Sequence, residues 1–309
     1  MDMLRSSNSV FLALSVIEFM LGMLGNGFIG LVNGSSWFKS RRISLADFIT
    51  TLLALSRIIL LWFLLVDNAL MVLTPVVNNE KIIMQTLGTF WIFTNDLNIW
   101  LVTCLSVLYC LKIASFSHPM FLWLKWRVSR VVVWMLLGSV LLSFASAMCR
   151  IQEFKYYPLF SRISDTRNMT EHCRKKNEYK LMHGMRNLWH LPPLIVSLAS
   201  NLLLILSLGR HTRQMQQNGA SSRDSTTEAH RSAIKIILSF FFLFLLYFLA
   251  FIITAFRHFL PEAWMIKMVA GTITMFYPTG HSFILILANN KLKKTLVQIL
   301  CRDSSYLKS

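Results

Sequence analysis

Within the stretch Trp91-Ile92-Phe93-Thr94-Asn95-Asp96-Leu97-Asn98, three side chains are suited to act together in binding. At about 100° per residue, Trp91, Asn95 and Asn98 fall on one helix face at i, i+4 and i+7. An amphipathic indole beside carboxamides suits a pocket for varied, mostly apolar ligands oriented by one hydrogen bond. The same residues would serve equally as an interfacial anchor (Trp91) and an interhelical hydrogen bond (Asn95), while Asp96 points away toward a neighbouring helix. A second set comprises Arg57 in Leu55-Ser56-Arg57, Asn26 in Gly25-Asn26-Gly27, and His281-Ser282. Each lies in an otherwise apolar run, where an ionisable side chain is costly and is by default a functional hypothesis. A buried guanidinium needs several acceptors. Asn26 and Ser282 can supply some, and Glu18 is a further candidate partner for Arg57. The set reads either as glue between helices or as a switch that repacks on activation.

A third set is basic and aromatic: Tyr109, Lys112, His118, Lys125, Trp126 and Arg127, then Arg210-His211-Thr212-Arg213. It fits anchoring to anionic lipid heads or the binding of an acidic or helical partner protein. Nothing resembles a phosphate loop, a metal cluster or a hydrolytic triad, so no cofactor or metal is expected and an enzyme is disfavoured. The five cysteines (104, 110, 149, 173 and 301) lack metal-ligand spacing. Cys104 and Cys110 read as small apolar residues. Cys149 and Cys173 flank a long connection and have the option of pairing. Cys301, beyond a basic amphipathic tail, is either an unmodified thiol or a palmitoylation site.

The elements that must hold these residues follow from composition and order. Of 309 residues, 55% are hydrophobic and 15% charged, against roughly a quarter charged in soluble domains. A soluble core this apolar would leave large exposed patches. Instead the apolar residues gather in seven runs, near 10–32, 48–74, 86–111, 131–149, 187–208, 234–256 and 268–289. Each is close to or above the ~20 residues that cross a bilayer. Only helices and closed barrels satisfy their backbone in lipid, and the runs do not alternate with period two. The expectation is an all-α protein, a seven-transmembrane-helix bundle forming one domain over 1–309, with the first run a retained signal anchor. Thirteen of the net +17 charges fall on 33–47, 112–130, 209–235 and 290–309, six on the other connections, and the spans subtract two. By the positive-inside rule this puts the amino terminus outside and the carboxyl terminus in the cytoplasm. It also argues against a nucleic-acid footprint, which would concentrate on one face. The outer connection 150–186 is itself basic at +5, but long loops obey the rule poorly. Asn168-Met169-Thr170 within it is an N-glycosylation acceptor. A small transporter using Arg57, Glu18 and Asp96 as a polar pathway is an alternative in another functional class.

The chain resembles the type 2 taste receptors, the bitter taste receptors among G-protein-coupled receptors, over nearly its whole length. The resemblance rests on Leu55-Ser56-Arg57, on Tyr109-Cys110-Leu111-Lys112-Ile113-Ala114-Ser115-Phe116-Ser117, and on Pro193 with Ser207-Leu208 and His211. It continues in Ser222-Arg223-Asp224, in Thr227-Glu228-Ala229-His230, and in His281-Ser282-Phe283-Ile284-Leu285-Ile286 leading to Lys291-Leu292-Lys293. It implies a multi-pass plasma-membrane receptor that binds bitter small molecules and activates a gustducin-like heterotrimeric G protein, leading to phospholipase C and calcium signalling. Trp91 and Asn95 match the family's third-span ligand positions, and Tyr247 matches a sixth-span aromatic switch. Gly271 takes a seventh-span pocket position where several relatives carry glutamate. Ser225 replaces the proline common after Arg-Asp. Tyr109, Lys112, Arg210, His211 and His230 would face the G protein, and Asn168 sits where the family carries its outer-loop glycan. A rhodopsin-like assignment is poor: Tyr109-Cys110-Leu111 stands where an acidic-arginine-tyrosine triplet is expected, and the seventh span lacks an asparagine-proline pair. A pheromone-type receptor of similar topology is the remaining neighbour.

Overall fold

The computed structural model describes residues 2–41, 43–73, 81–163, 174, 188–217, 225–255 and 263–306. Seven long helices carry the seven apolar runs: α1 (Asp2–Ser40), α2 (Leu45–Leu73), α3 (Lys81–Ile113), α5 (Val128–Ile163), α6 (Leu191–Gln217), α7 (Ser225–Ala255) and α8 (Ala263–Ala288). Two shorter helices join them, α4 (Pro119–Trp126) between α3 and α5, and α9 (Asn290–Tyr306) after α8. Among the described residues, five helices contain stretches long and apolar enough to cross a membrane: Ser7–Ser40, Leu45–Leu70, Gln85–Ile113, Val128–Ile151 and Leu191–His211. A shorter apolar stretch, Ile234–Ala250, lies in α7.

Local chemistry sets the helix ends. The Ser44 hydroxyl accepts from the Asp47 N–H at 3.0 Å and so caps α2. His118 Nδ1 accepts from the Met120 N–H at 3.3 Å, and Pro119 opens α4, where its missing N–H is not needed. The Asn289 carboxamide accepts from the N–H groups of Lys291 and Leu292 at 3.0 and 3.4 Å, so one residue ends α8 and caps α9. Pro278 lies inside α8, where it removes one backbone donor.

α3 is the centre of the packing. It lies against α2, α5 and α6, while α1 packs on α2 and α8, and α7 packs on α8 and α6. The largest apolar cluster joins Ile29, Ile49, Leu53, Leu105, Leu108, Leu285 and Leu292 from five helices. Outward-facing apolar side chains remain uncovered: Leu24, Leu31, Trp134, Leu141 and Leu206 are all more than 60% exposed. In water such a surface would aggregate, whereas in a bilayer it is the surface that meets lipid.

Candidate functional site

The polar residues of the spans collect inside the bundle rather than on its lipid face. Arg57, Asn26, Ser282, His281, Asn95, Asn98 and Asp96 are all buried. Arg57 Nη1 donates to the Ser282 hydroxyl at 3.2 Å, and Nη2 meets His281 Nδ1. Because a guanidinium only donates, that imidazole nitrogen is the acceptor of the pair. The Ser282 hydroxyl donates to Asn26 Oδ1 at 2.6 Å, and the Asn26 amide donates to the Gly22 carbonyl at 2.8 Å. One chain of hydrogen bonds thus joins α2, α8 and α1. Asn26 reaches Arg57 only through Ser282, and no ion pair forms between Glu18 and Arg57 among the described residues. The Glu18 backbone carbonyl instead accepts from Thr279 at 3.2 Å.

Above this chain the expected ligand face of α3 divides among three neighbours. Trp91 is half-buried against the cluster of Phe19, Leu60, Leu61, Leu64 and Met275. Gly271 lies one turn from Met275 on α8, and a Cβ there would stand 3.3 Å from Asn68 Oδ1 and 3.5 Å from the Phe11 ring. Asn95 Oδ1 accepts a hydrogen bond from the Tyr247 hydroxyl across to α7. The Asn98 amide donates to the Ser56 hydroxyl at 3.3 Å, beside Arg57 on α2. Tyr247 lies against Tyr277 with ring centres 4.6 Å apart, and Tyr277 stacks on the His281 ring at 5.6 Å. The Asn95 carboxamide and the Arg57 chain are therefore connected through packed aromatic rings.

Three links were not foreseen in the sequence. Asp96 lies 3.4 Å from His190, in the single helical turn before α6. The Asn68 amide donates to the Ser15 hydroxyl at 3.1 Å and lies 3.4 Å from Met275 sulfur, joining α2 to α1 and α8. Tyr277 sits at the junction between Tyr247, His281 and Arg57. Its signal in the sequence is only a tyrosine beside Pro278 in an apolar run.

At the opposite end, Tyr109 is half-buried, while Lys112, Arg210 and His211 are exposed. His230 lies on α7, but its side chain is outside the described residues, as are Asn168 and Cys173; Cys149 is exposed on α5. The Lys125 ammonium donates to the Ala114 carbonyl at 2.8 Å, and the Ser115 N–H donates to Ser207 at 2.9 Å. The first bond holds the end of α3 against α4, and the second holds the segment after α3 against α6. Lys291 of α9 lies 3.6 Å from Asp47 and donates to Asn33 at 3.2 Å, tying α9 to α2 and α1.

The family described as Taste receptor protein (TAS2R) matches residues 3–304. Taste receptor type 2 member 3 of Homo sapiens is 64% identical over 307 residues, which cover 99% of this chain and 97% of that protein. Its counterpart in Papio hamadryas is 63% identical over 303 residues, covering 98% and 96%. The Mus musculus protein is 54% identical over 300 residues, covering 97% and 95%. A match of this extent carries the whole bundle with it, and the chain belongs to the Taste receptor protein (TAS2R) family: a seven-transmembrane G-protein-coupled receptor of the plasma membrane, and not an enzyme.

Proposed function

We propose that this bitter taste receptor takes its agonists in the outer half of the bundle, at Trp91, Asn95, Asn98 and Gly271, with its amino terminus outside the cell. The hydrogen bond from Tyr247 to Asn95 carries this reading. A ligand that competes for the Asn95 carboxamide disturbs α3 and α7 together. Tyr247 then passes the disturbance through Tyr277 to Arg57, Asn26 and Ser282, which act as the switch. Because Gly271 presents no carboxylate, apolar or neutral hydrogen-bonding agonists are favoured over cationic ones. Such a ligand must bind the active arrangement more tightly than the resting one, or it shifts nothing.

On the cytoplasmic side, Tyr109, Lys112, Arg210, His211 and His230 would meet a gustducin-type heterotrimeric G protein, leading to phospholipase C and calcium release. Their basic and aromatic character suits an acidic or helical partner surface. Asn168 would carry the outer-loop glycan. In cells that bring the receptor to the surface, Trp91→Ala should abolish the calcium response to bitter compounds. A dose–response identical to that of the unaltered receptor would sink the ligand site. Agonist-dependent nucleotide exchange on a purified G protein separates reception from transport, which would instead appear as substrate flux in proteoliposomes.

A further inference from the structure

α4 is fastened to the bundle along one side. The Phe121 ring meets Phe116 edge-on at 5.2 Å, and the Lys125 ammonium is taken up by the Ala114 carbonyl. No residue of this helix is buried. Its other side carries Met120, Trp123 and Trp126, each more than half exposed, with Trp126 at 86%. Left in water, so much uncovered apolar surface is costly. Arg127 closes α4 and opens α5: its N–H donates to the Leu124 carbonyl at 3.1 Å, and its own carbonyl accepts from the Val131 N–H at 2.9 Å. The Arg127 guanidinium lies over the Trp123 ring, 4.7 Å from its centre. The ring face attracts the cation and keeps it beside the indole.

Along α5 the exposed residues Arg130, Trp134, Leu137, Leu141, Phe144 and Met148 recur at alternating steps of four and three, which is one helix face. All but the first are apolar, so this is the face that α5 turns to lipid. Arg130 stands at its end, where hydrocarbon gives way to headgroups. Trp134 lies one turn further in, at the depth where indoles collect. Because α4 ends where α5 begins, Trp123, Trp126 and Arg127 stand at the same corner. The sequence has no Asp or Glu between Asp96 and Glu153, and neither guanidinium makes an ion pair among the described residues. Two uncompensated arginines among indoles, at the rim of a lipid-facing stripe, suit a negatively charged headgroup. A docked protein would need this face clear of lipid, yet it runs without a break into the apolar face of α5.

We propose that Trp123, Trp126, Arg127 and Arg130 form a docking site for the headgroup of an anionic phospholipid. The two guanidiniums pair with the headgroup, the indoles settle into the interface around it, and the acyl chains run along Trp134 and Leu137. In the orientation proposed above, the cytoplasmic leaflet supplies this lipid. The bound lipid holds α4 at the membrane surface and, through Lys125 and Phe121, steadies the segment that follows α3. The proposal does not rest on the agonist reading. Its test in detergent is blind to membrane orientation, so an inverted topology would not mimic its failure.

The test is native mass spectrometry of the full-length receptor in detergent, titrated with phosphatidylserine or with phosphatidylcholine of the same acyl chains. The first phosphatidylserine should bind at a lower concentration than the first phosphatidylcholine, and high salt should erode the difference. Arg127→Gln and Arg130→Gln should each weaken the apparent affinity for phosphatidylserine about fivefold and leave that for phosphatidylcholine unmoved. Both arginines are exposed, so the variants should keep the fold, which their melting temperatures check. Lys293→Gln with Lys294→Gln takes two charges from exposed positions of α9, a helix without tryptophan, and should cost far less. Equal binding of the two lipids overturns the proposal, as does an equal loss in the α9 variant, which would mean diffuse attraction to the whole basic end. Unchanged phosphatidylserine affinity in the arginine variants overturns it too. If those variants then bind a purified heterotrimeric G protein more weakly, the face belongs to the protein partner.

Discussion

Tyr247 and Asn95 meet through one hydroxyl, and Tyr247→Phe removes that atom while keeping the ring packed on Tyr277. The variant leaves the buried Asn95 oxygen without its partner, at a cost of about 1–3 kcal/mol. If the bond belongs to one signalling state, agonist potency should move by roughly fivefold to a hundredfold, read from calcium dose–response curves at matched surface expression. An unmoved curve would separate the hydroxyl from signalling. Legibility in the sequence differs residue by residue for physical reasons. Arg57 announces itself because an ionisable group in an apolar run demands acceptors, and Ser282 and Asn26 were the polar groups at hand. Trp91 and Asn95 share a helix face by arithmetic, yet their neighbours on α2, α7 and α8 come from the packing, which no spacing within α3 encodes. His190 was missed as the partner of Asp96 because it lies in another segment, outside any motif.

Helices show a similar division. The apolar runs locate every long helix, since a backbone in lipid has few other choices. They understate the lengths: the run at 131–149 sits inside Val128–Ile163, and the run at 10–32 inside Asp2–Ser40. Hydrophobicity ends where water begins, whereas helical hydrogen bonding continues into polar sequence. Close approach is invisible in composition. A Cβ at Gly22 would come 2.5 Å from Leu61 Cδ1 and 2.6 Å from Thr279 Oγ1, while one at Gly27 would meet nothing within 4 Å. Both are glycines in α1, but only Gly22 sits in the joint between α1, α2 and α8. Gly22→Val should therefore destabilise the receptor by about 1–3 kcal/mol through overpacking. Gly27→Ala should be neutral or stabilising by up to about 1 kcal/mol through helix propensity. Thermal unfolding of both variants in the same detergent checks the contrast, and equal losses would contradict it.

At the scale of the molecule, the uneven distribution of Lys and Arg makes a prediction about sidedness. An epitope at the amino terminus should bind antibody on intact cells, and one at the carboxyl terminus only after permeabilisation; the reverse pattern would invert the proposed topology. Enzymatic deglycosylation should increase the gel mobility of the receptor, and Asn168→Gln should remove that shift. The membrane character of the chain needed only its composition and order. The polar set Arg57, Asn26 and Ser282 was legible from residue type, but the order of its bonds, Arg57 to Ser282 to Asn26, was not, because it joins residues from both ends of the sequence. Such contacts exist only once α1, α2 and α8 are assembled.

The bond between Tyr247 and Asn95 also bears on how fast the receptor can respond. α7 packs chiefly on α6 and α8, and at this level of the bundle it meets α3 through the Tyr247 phenol and the apolar contact of Ile99 with Phe244 and Tyr247. Parting that contact requires no rearrangement of the main apolar cluster. The delay between agonist arrival and helix displacement is then set by collective helix motion, on the order of microseconds to milliseconds. The slow stages of taste perception would lie downstream, in the chemistry that the receptor sets going.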